Sequence, residues 1–303
     1  SISKWTGDDE LNVGANVIIC NLGILQSSKS NVEWLKYVDV CIIDEVHKLR
    51  RKNKINKLLK TIDTQHRFGF TGTMPEELID QWNIIGKIGP VIYEKSSSDL
   101  RIDNYIADVK VQVLKMFYKD RPSYPAVLSN PSERYRAELD FIMHNDFRNN
   151  MLMKLCNKLD KNALIMVDYI EHGNTLHKHL SKHCPNKKVY FIRGEVDVDD
   201  RDKVKQLMEM EDDIIVVAIS KIFSTGINIK NLHYIIFGGG GKAKIKIIQS
   251  IGRGLRLHKN KSELIIFDIG DSLQYGLRHL EKRLTHYNKE QIEYGIQEIS
   301  QSS

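Results

Sequence analysis

Two short stretches hold side chains that could do chemistry together. Asp44 and Glu45 directly follow the apolar run in YVDVCIID, and His47 comes two residues after Glu45. Adjacent acids at a strand end can do two jobs at a nucleotide phosphate. Asp44 would hold Mg2+, directly or through water, and Glu45 would orient and deprotonate the attacking water. A strand end leading into a solvated helix offers the same residues, with His47 a plain polar neighbour, so D-E-x-H alone leaves both readings open. The second stretch is QSIGRGLRL, residues 249–257. Arg253 and Arg256 lie three apart, so on a helix they project to one side and can grip a single polyphosphate. Gly252 permits close approach of backbone to ligand. Guanidinium groups that reach a transferring phosphoryl from a second domain act as arginine fingers; a basic surface helix is the alternative.

Two smaller signals lie between them. FTGTMP, residues 70–75, ends a strand with hydroxyls at Thr71 and Thr73, suited to relaying a hydrogen-bond change from His47 to another site. FSTGINIKNL ends another strand with Ser224, Thr225, Gly226 and Asn228, a small polar loop able to meet a phosphate backbone. Either could be an ordinary turn.

These residues need strands to present them. Residues 1–95 alternate short apolar runs with helical stretches, at 16–20, 37–44, 67–72 and 90–94, which implies a parallel sheet flanked by helices. The run before Asp44 reads as a buried strand, and ligands of open α/β sheets bind at the carboxyl ends of strands. Residues 96–130 read as a connector that packs on the domains, with one strand at 108–118. A helical stretch from about 131 leads into a second alternating series, with strands at 162–168, 188–194, 213–219, 232–238 and 263–269. The helix VDDRDKVKQLMEME supplies a crossover within it. Residues 272–303 read as a polar helical extension. The expected class is α/β, with domains at 1–95 and 131–271 and a ligand cleft between them.

Composition agrees with a globular chain of about two domains, because 303 residues with 41% hydrophobic content can build real cores. The net charge of +6 is compatible with a polyanionic partner without requiring one. Cys20, Cys41, Cys156 and Cys184 show no CxxC spacing and read as reduced core residues, neither a zinc site nor a disulfide framework. No apolar run approaches the ~20 residues of a membrane span, and no signal-peptide pattern opens the chain, so a cytoplasmic location is expected and no membrane partner. The missing initial methionine suggests a fragment or a processed form. The run KLRRKNK reads as a solvated helix face, with contact to DNA as the alternative.

The order DEVH, TGT, STGIN, QSIGRGLR resembles motifs II, III, V and VI of the superfamily 2 helicases of the DExH type, over nearly the whole chain. RGEVDVDDRDKV, IFSTGINIKNLH and KAKIKIIQSIGRGLRLH resemble the phage UvsW-type recombination helicases, which remodel branched DNA. The resemblance implies two tandem RecA-like lobes, ATP and Mg2+ as cofactors, and DNA, single-stranded or branched, as partner. It implies Asp44 for Mg2+, Glu45 as catalytic base, and His47, Thr71 and Thr73 as couplers. Gln249, Gly252, Arg253 and Arg256, with Gly226 and Asn228, would meet the nucleotide. Ser224, Thr225 and Arg193 would meet nucleic acid, and Asn21 stands where the family places a threonine that touches DNA phosphate.

One family feature is absent. The 303 residues contain no G-x-x-x-x-G-K-[ST] phosphate loop. FGGGGKAK fails at both ends, with Ile236 five before Gly241 and Ala243 after Lys242. The first lobe is therefore expected to be incomplete. The leading expectation is an ATP-dependent DNA helicase or translocase of recombination, repair or replication, with an RNA helicase, a non-catalytic strand-binding or annealing module and a metal-dependent nuclease as alternatives.

Overall fold

The computed structural model describes residues 1–6, 9–27, 32–50, 53–72, 74–96, 99, 103, 108–122, 130–193, 206–220, 229, 231–239 and 263–301. The chain divides into two compact units, Ser1–Glu94 and Lys95–Ser303.

In the first unit, β1 (Ile2–Trp5) pairs in parallel with β2 (Val17–Cys20), which runs into the short helix α1 (Leu22–Leu25). A second parallel pair joins β3 (Val40–Ile43) to β4 (His66–Gly69), with the single helical turn α2 (Ile55–Leu58) between them in sequence. Helix α3 (Leu78–Lys87) follows. Leu35, Val46, Leu49, Ile55, Leu59, Ile62 and Ile84 form the core.

The structure corrects two expectations here. The run before Asp44 is a strand but is not buried on both faces: Cys41 and Ile43 pack against the core, whereas Val40 and Ile42 are exposed, Ile42 at 66%. Alternate side chains of a strand point to opposite faces, and among the described residues only one face of this pair is covered. Residues 90–94 form no strand either. Val91, Ile92 and Tyr93 are exposed, because no described strand lies alongside to take up their backbone groups.

The second unit is built on a seven-stranded, all-parallel sheet among the described residues. Its elements are β5 (Asp108–Phe117), α4 (Pro131–His144), α5 (Asp146–Lys158), β6 (Ala163–Val167), α6 (Ile170–His183), β7 (Lys188–Ile192), β8 (Ile214–Ile219), β9 (Tyr234–Phe237), β10 (Glu263–Asp271), α7 (Gln274–Lys289) and β11 (Glu293–Ser300). The strand order is β11-β5-β10-β9-β6-β8-β7. Helices cover both faces. Leu164, Met166, Val216, Ile235 and Ile266 pack with Leu280 and Tyr287 of α7, while Ile165, Val167, Val217 and Ile236 pack with Leu152 and Cys156 of α5 and Leu176 and Leu180 of α6. Two-sided burial is the reason β6 and β8 are unbroken apolar runs. Two asparagines start the helical layer. Asn130 Oδ1 accepts from Ser132 N–H at 3.0 Å, with Pro131 opening α4, and Asn145 Oδ1 accepts from Arg148 N–H at 2.9 Å to start α5.

Two segments differ from their sequence reading. The strand of the expected connector belongs to this sheet, paired with β10 on one side and β11 on the other. The expected helical extension is helix and then strand: α7 turns back through Gln291, at φ 51°, and β11 lies parallel to β5. Its polar EYGIQEIS sequence suits an edge strand with most residues exposed, which carries no buried-strand signal. Among the described residues, no helix is long and apolar enough to cross a membrane. All four cysteines are free thiols; burial raises the pKa of Cys156 and Cys184, as expected of inert core residues.

Candidate functional site

Strand β3 delivers Asp44 and Glu45 at its carboxyl end. The chain then reverses sharply, because Glu45 takes the left-handed conformation at φ 54°, ψ 45°, and a single 3-10 turn follows over Val46–Lys48. A side chain with a Cβ is strained there by about 1 kcal/mol, and such outliers cluster at functional sites. Two backbone bonds clamp the turn to β4: Phe70 N–H donates to Ile43 C=O, and Val46 N–H donates to Phe70 C=O, both at 2.9 Å. Gly69 makes the approach possible, since a Cβ there would lie 2.9 Å from Val46 Cγ2.

The clamp sets four predicted side chains beside one another. His47 Nδ1 lies 2.8 Å from Thr71 Oγ1 and 3.0 Å from Glu45 Oε2, so one ring nitrogen faces both a hydroxyl and a carboxylate. Asp44 Oδ1 accepts from Glu45 N–H at 2.8 Å, and Asp44 is exposed. Glu45, His47 and Thr71 are partly exposed and can be reached from solvent. Such an arrangement can hold a water against Glu45 and link its carboxylate through His47 to the strand end at Thr71.

A metal site here would have a defined character. Among the described residues no three His, Cys, Asp or Glu side chains converge to cage an ion. Mg2+ needs no such cage, because it is typically held by one or two carboxylates with waters and phosphate oxygens completing its shell. The exposed Asp44 carboxylate fits that donor set.

Elsewhere in the first unit, Asn21 ends β2 and caps α1, its Oδ1 accepting from Gly23 N–H at 2.9 Å, so the side-chain NH2 is what remains to donate. In the second unit Arg193 is exposed just past β7, with its guanidinium 5.5 Å from the Phe191 ring centroid. That ring lies over Gly173 of α6, where a Cβ would come within 2.3 Å of Phe191 Cζ. A glycine inside a helical pattern signals such packing, and this one went unread in the sequence. The left-handed Glu45 carries no sequence signal, being an ordinary residue for a strand end. Thr73, Ser224, Thr225, Gly226, Asn228, Gln249, Gly252, Arg253 and Arg256 lie outside the described residues.

Comparison with known proteins gives two family matches: the type III restriction enzyme res subunit over residues 2–76, and the helicase conserved C-terminal domain over residues 148–258. The chain is 28% identical to the ATP-dependent DNA helicase uvsW of Enterobacteria phage T4, over 97% of its own length and 61% of that protein. The crystal structure of T4 UvsW matches with a TM-score of 0.53 at 25% identity, covering 99% of this chain and 62% of that one. A fragment of a putative HsdR subunit of a type I restriction enzyme from Vibrio vulnificus matches with a TM-score of 0.67 at 15% identity, over 99% of this chain and 57% of that one, a likeness of fold. The chain therefore spans about three fifths of the length of the relatives it matches.

Proposed function

Because the chain belongs to the superfamily 2 helicases, with tandem RecA-like neighbours and a UvsW-like sequence, we propose that it forms part of an ATP-driven DNA helicase or translocase. Its work would be to remodel duplex or branched DNA in phage recombination, repair or replication, in the cytoplasm of the host. The observation that carries the reading is the contact of His47 with both Glu45 and Thr71 at the ends of β3 and β4.

In this reading Asp44 binds Mg2+ and Glu45 is the base. The Glu45 carboxylate orients a water and accepts its proton, while the clamp on Val46 keeps that carboxylate in place. Magnesium, when bound with ATP, supplies positive charge at the phosphates. His47 senses the state of Glu45 and passes it to Thr71 and Thr73. Gln249, Gly226, Asn228 and Gly252 would line the nucleotide, with Arg253 and Arg256 stabilising charge on the transferring phosphoryl. Asn21, Ser224, Thr225 and Arg193 would meet the phosphate backbone of the tracked strand. We assign the two compact units, Ser1–Glu94 and Lys95–Ser303, to the two lobes.

Steady-state ATP hydrolysis, with and without DNA, tests this. In a form extended by a segment that supplies a phosphate loop, Glu45→Gln should abolish turnover while fluorescent ATP analogues still bind, because the amide keeps the shape and cannot accept the proton. The 303-residue chain by itself should hydrolyse ATP slowly or not at all, lacking the N–H cradle and lysine. Unchanged turnover in Glu45→Gln would remove Glu45 from the mechanism.

A further inference from the structure

Seven bases, Lys48, Arg50, Arg51, Lys52, Lys54, Lys57 and Lys60, lie within 13 residues, and no acid occurs between Glu45 and Asp63. The proposed catalytic cluster uses none of them. The structure divides this stretch cleanly. Leu49, Ile55 and Leu59 are buried in the core of the first unit, whereas Lys48, Arg50, Lys54, Lys57 and Lys60 are all exposed.

The backbone at Leu49 and Arg50 is fixed. Asn56 Nδ2 donates to Arg50 C=O at 2.7 Å, and Asn83, on α3, donates to Leu49 C=O at 2.7 Å and to Asn56 Oδ1 at 3.1 Å. The charges of the described lysines are left uncompensated. Among the described residues the ammonium groups of Lys48, Lys54, Lys57 and Lys60 make no hydrogen bond or ion pair, and Arg50 meets Asp80 only at 4.0 Å with its own side chain 63% exposed. Like charges three residues apart, as Lys54 with Lys57 and Lys57 with Lys60, repel, so the arrangement opposes folding slightly and gains only when a polyanion arrives.

We propose that the exposed bases Lys48, Arg50, Lys54, Lys57 and Lys60 form a docking surface for the phosphate backbone of double-stranded nucleic acid, separate from the tracked strand. The inference rests on the reading that the chain acts on nucleic acid. Single-strand grooves combine bases with aromatic rings on which nucleobases stack. No Trp, Tyr or Phe occurs in residues 48–60, so this segment itself offers charge without stacking, as a duplex presenting only its phosphates requires. Binding is sequence-independent, because backbone contacts position a protein without reading bases.

Fluorescence anisotropy of the 303-residue chain tests this with a labelled 20-bp DNA duplex and a labelled oligo-dT, across a potassium chloride series. In the triple variant Lys54→Gln, Lys57→Gln, Lys60→Gln, duplex affinity should fall about tenfold or more, and the log–log salt slope should shrink by about 2 to 3. Oligo-dT affinity should change by less than about threefold. The three single variants should each remove about 0.9 from the duplex slope, which keeps the test valid if the triple variant folds poorly. A matched control, Lys154→Gln, Lys178→Gln, Lys182→Gln in the second unit, removes equal charge elsewhere and should change duplex affinity less than about twofold. An unchanged duplex affinity in the first triple, or an equal loss in the control, overturns the proposal while oligo-dT binding leaves the nucleic-acid reading intact. If the wild-type chain binds neither probe, both fall together.

Discussion

His47 Nδ1 and Thr71 Oγ1 lie 2.8 Å apart across 24 residues of sequence, and the same nitrogen is 3.0 Å from Glu45 Oε2. The contact exists because the turn after β3 is bonded to the strand end after β4, through Val46 N–H and Phe70 C=O. The carboxylate proposed as base and the hydroxyl proposed as coupler thus share one imidazole nitrogen. A change in the charge or position of either is felt by the other.

The left-handed backbone at Glu45 predicts a trade between stability and activity. Glu45→Gly relieves the Cβ strain and should stabilise the first unit by about 1 kcal/mol or less, after the larger unfolded-state entropy of glycine is subtracted. The same change removes the carboxylate. A urea titration should show an unchanged or higher midpoint, and a drop of more than about 1 kcal/mol would show that the side-chain contacts outweigh the strain.

Gly69→Ala should loosen the clamp. Its Cβ would meet Val46 Cγ2 at 2.9 Å, and Val46 is held in the core, so the turn must shift. We expect a loss of about 1–3 kcal/mol, in the range of overpacking. Adding Val46→Ala opens the space and should restore part of that loss, less the cost of the smaller core residue. Equal stability of the single and double variants would show that the strain is taken up elsewhere.

Arg148 and Asp271 form a buried ion pair in the second unit, with Nε to Oδ1 at 2.7 Å and Nη2 to Oδ2 at 3.3 Å, and Tyr118 donates to the same carboxylate. Arg148→Met strands the Asp271 charge and should cost about 3–5 kcal/mol. Arg148→Met with Asp271→Leu should cost clearly less, because no uncompensated charge remains. Thermal unfolding of the two variants side by side decides it; a double variant as unstable as the single would mean the pair stabilises beyond charge compensation.

His172 predicts an acid-sensitive second unit. Burial, and next the nearby Arg148 guanidinium, hold its pKa down at about 3, against about 6.5 for an unperturbed histidine. The unfolded chain therefore takes up this proton first as pH falls. The contribution of neutral His172 is fully present above about 6.5 and is lost as pH drops from there toward about 3. Its size is on the order of 5 kcal/mol across that window. His172→Leu removes the titration, so the stability of the variant relative to wild type should rise steadily as pH is lowered through that range. A constant difference would mean that His172 does not titrate differently on unfolding.

The second sheet was legible in the sequence because its central strands are buried on both faces and read as unbroken apolar runs. NALIMVD and DIIVVAI contain β6 and β8, and KVYFIRG contains β7, shorter by two residues than its run. Strand β11 was not legible, since EYGIQEIS lies mostly exposed at an edge and makes its ladder bonds to β5 without a buried face to mark it. The run at 90–94 misled in the opposite sense: PVIYE has strand composition, yet composition is realised as a strand only where a neighbour takes its backbone hydrogen bonds.

The sequence alone determined the chemical inventory: two adjacent carboxylates after an apolar run, a histidine two residues on, hydroxyls after the next strand, and an absent phosphate loop. It determined the α/β class as well, because residue type and local spacing decide strand and helix period. Only the tertiary structure decided that His47 reaches both Glu45 and Thr71, that Glu45 sits in a left-handed turn, that Gly69 admits Val46, and that β5 lies between β10 and β11. Each of these is a meeting of residues distant in sequence, or a backbone conformation imposed by such a meeting. Local pattern fixes which face of an element is apolar, but pairing and register follow from which faces can be buried together.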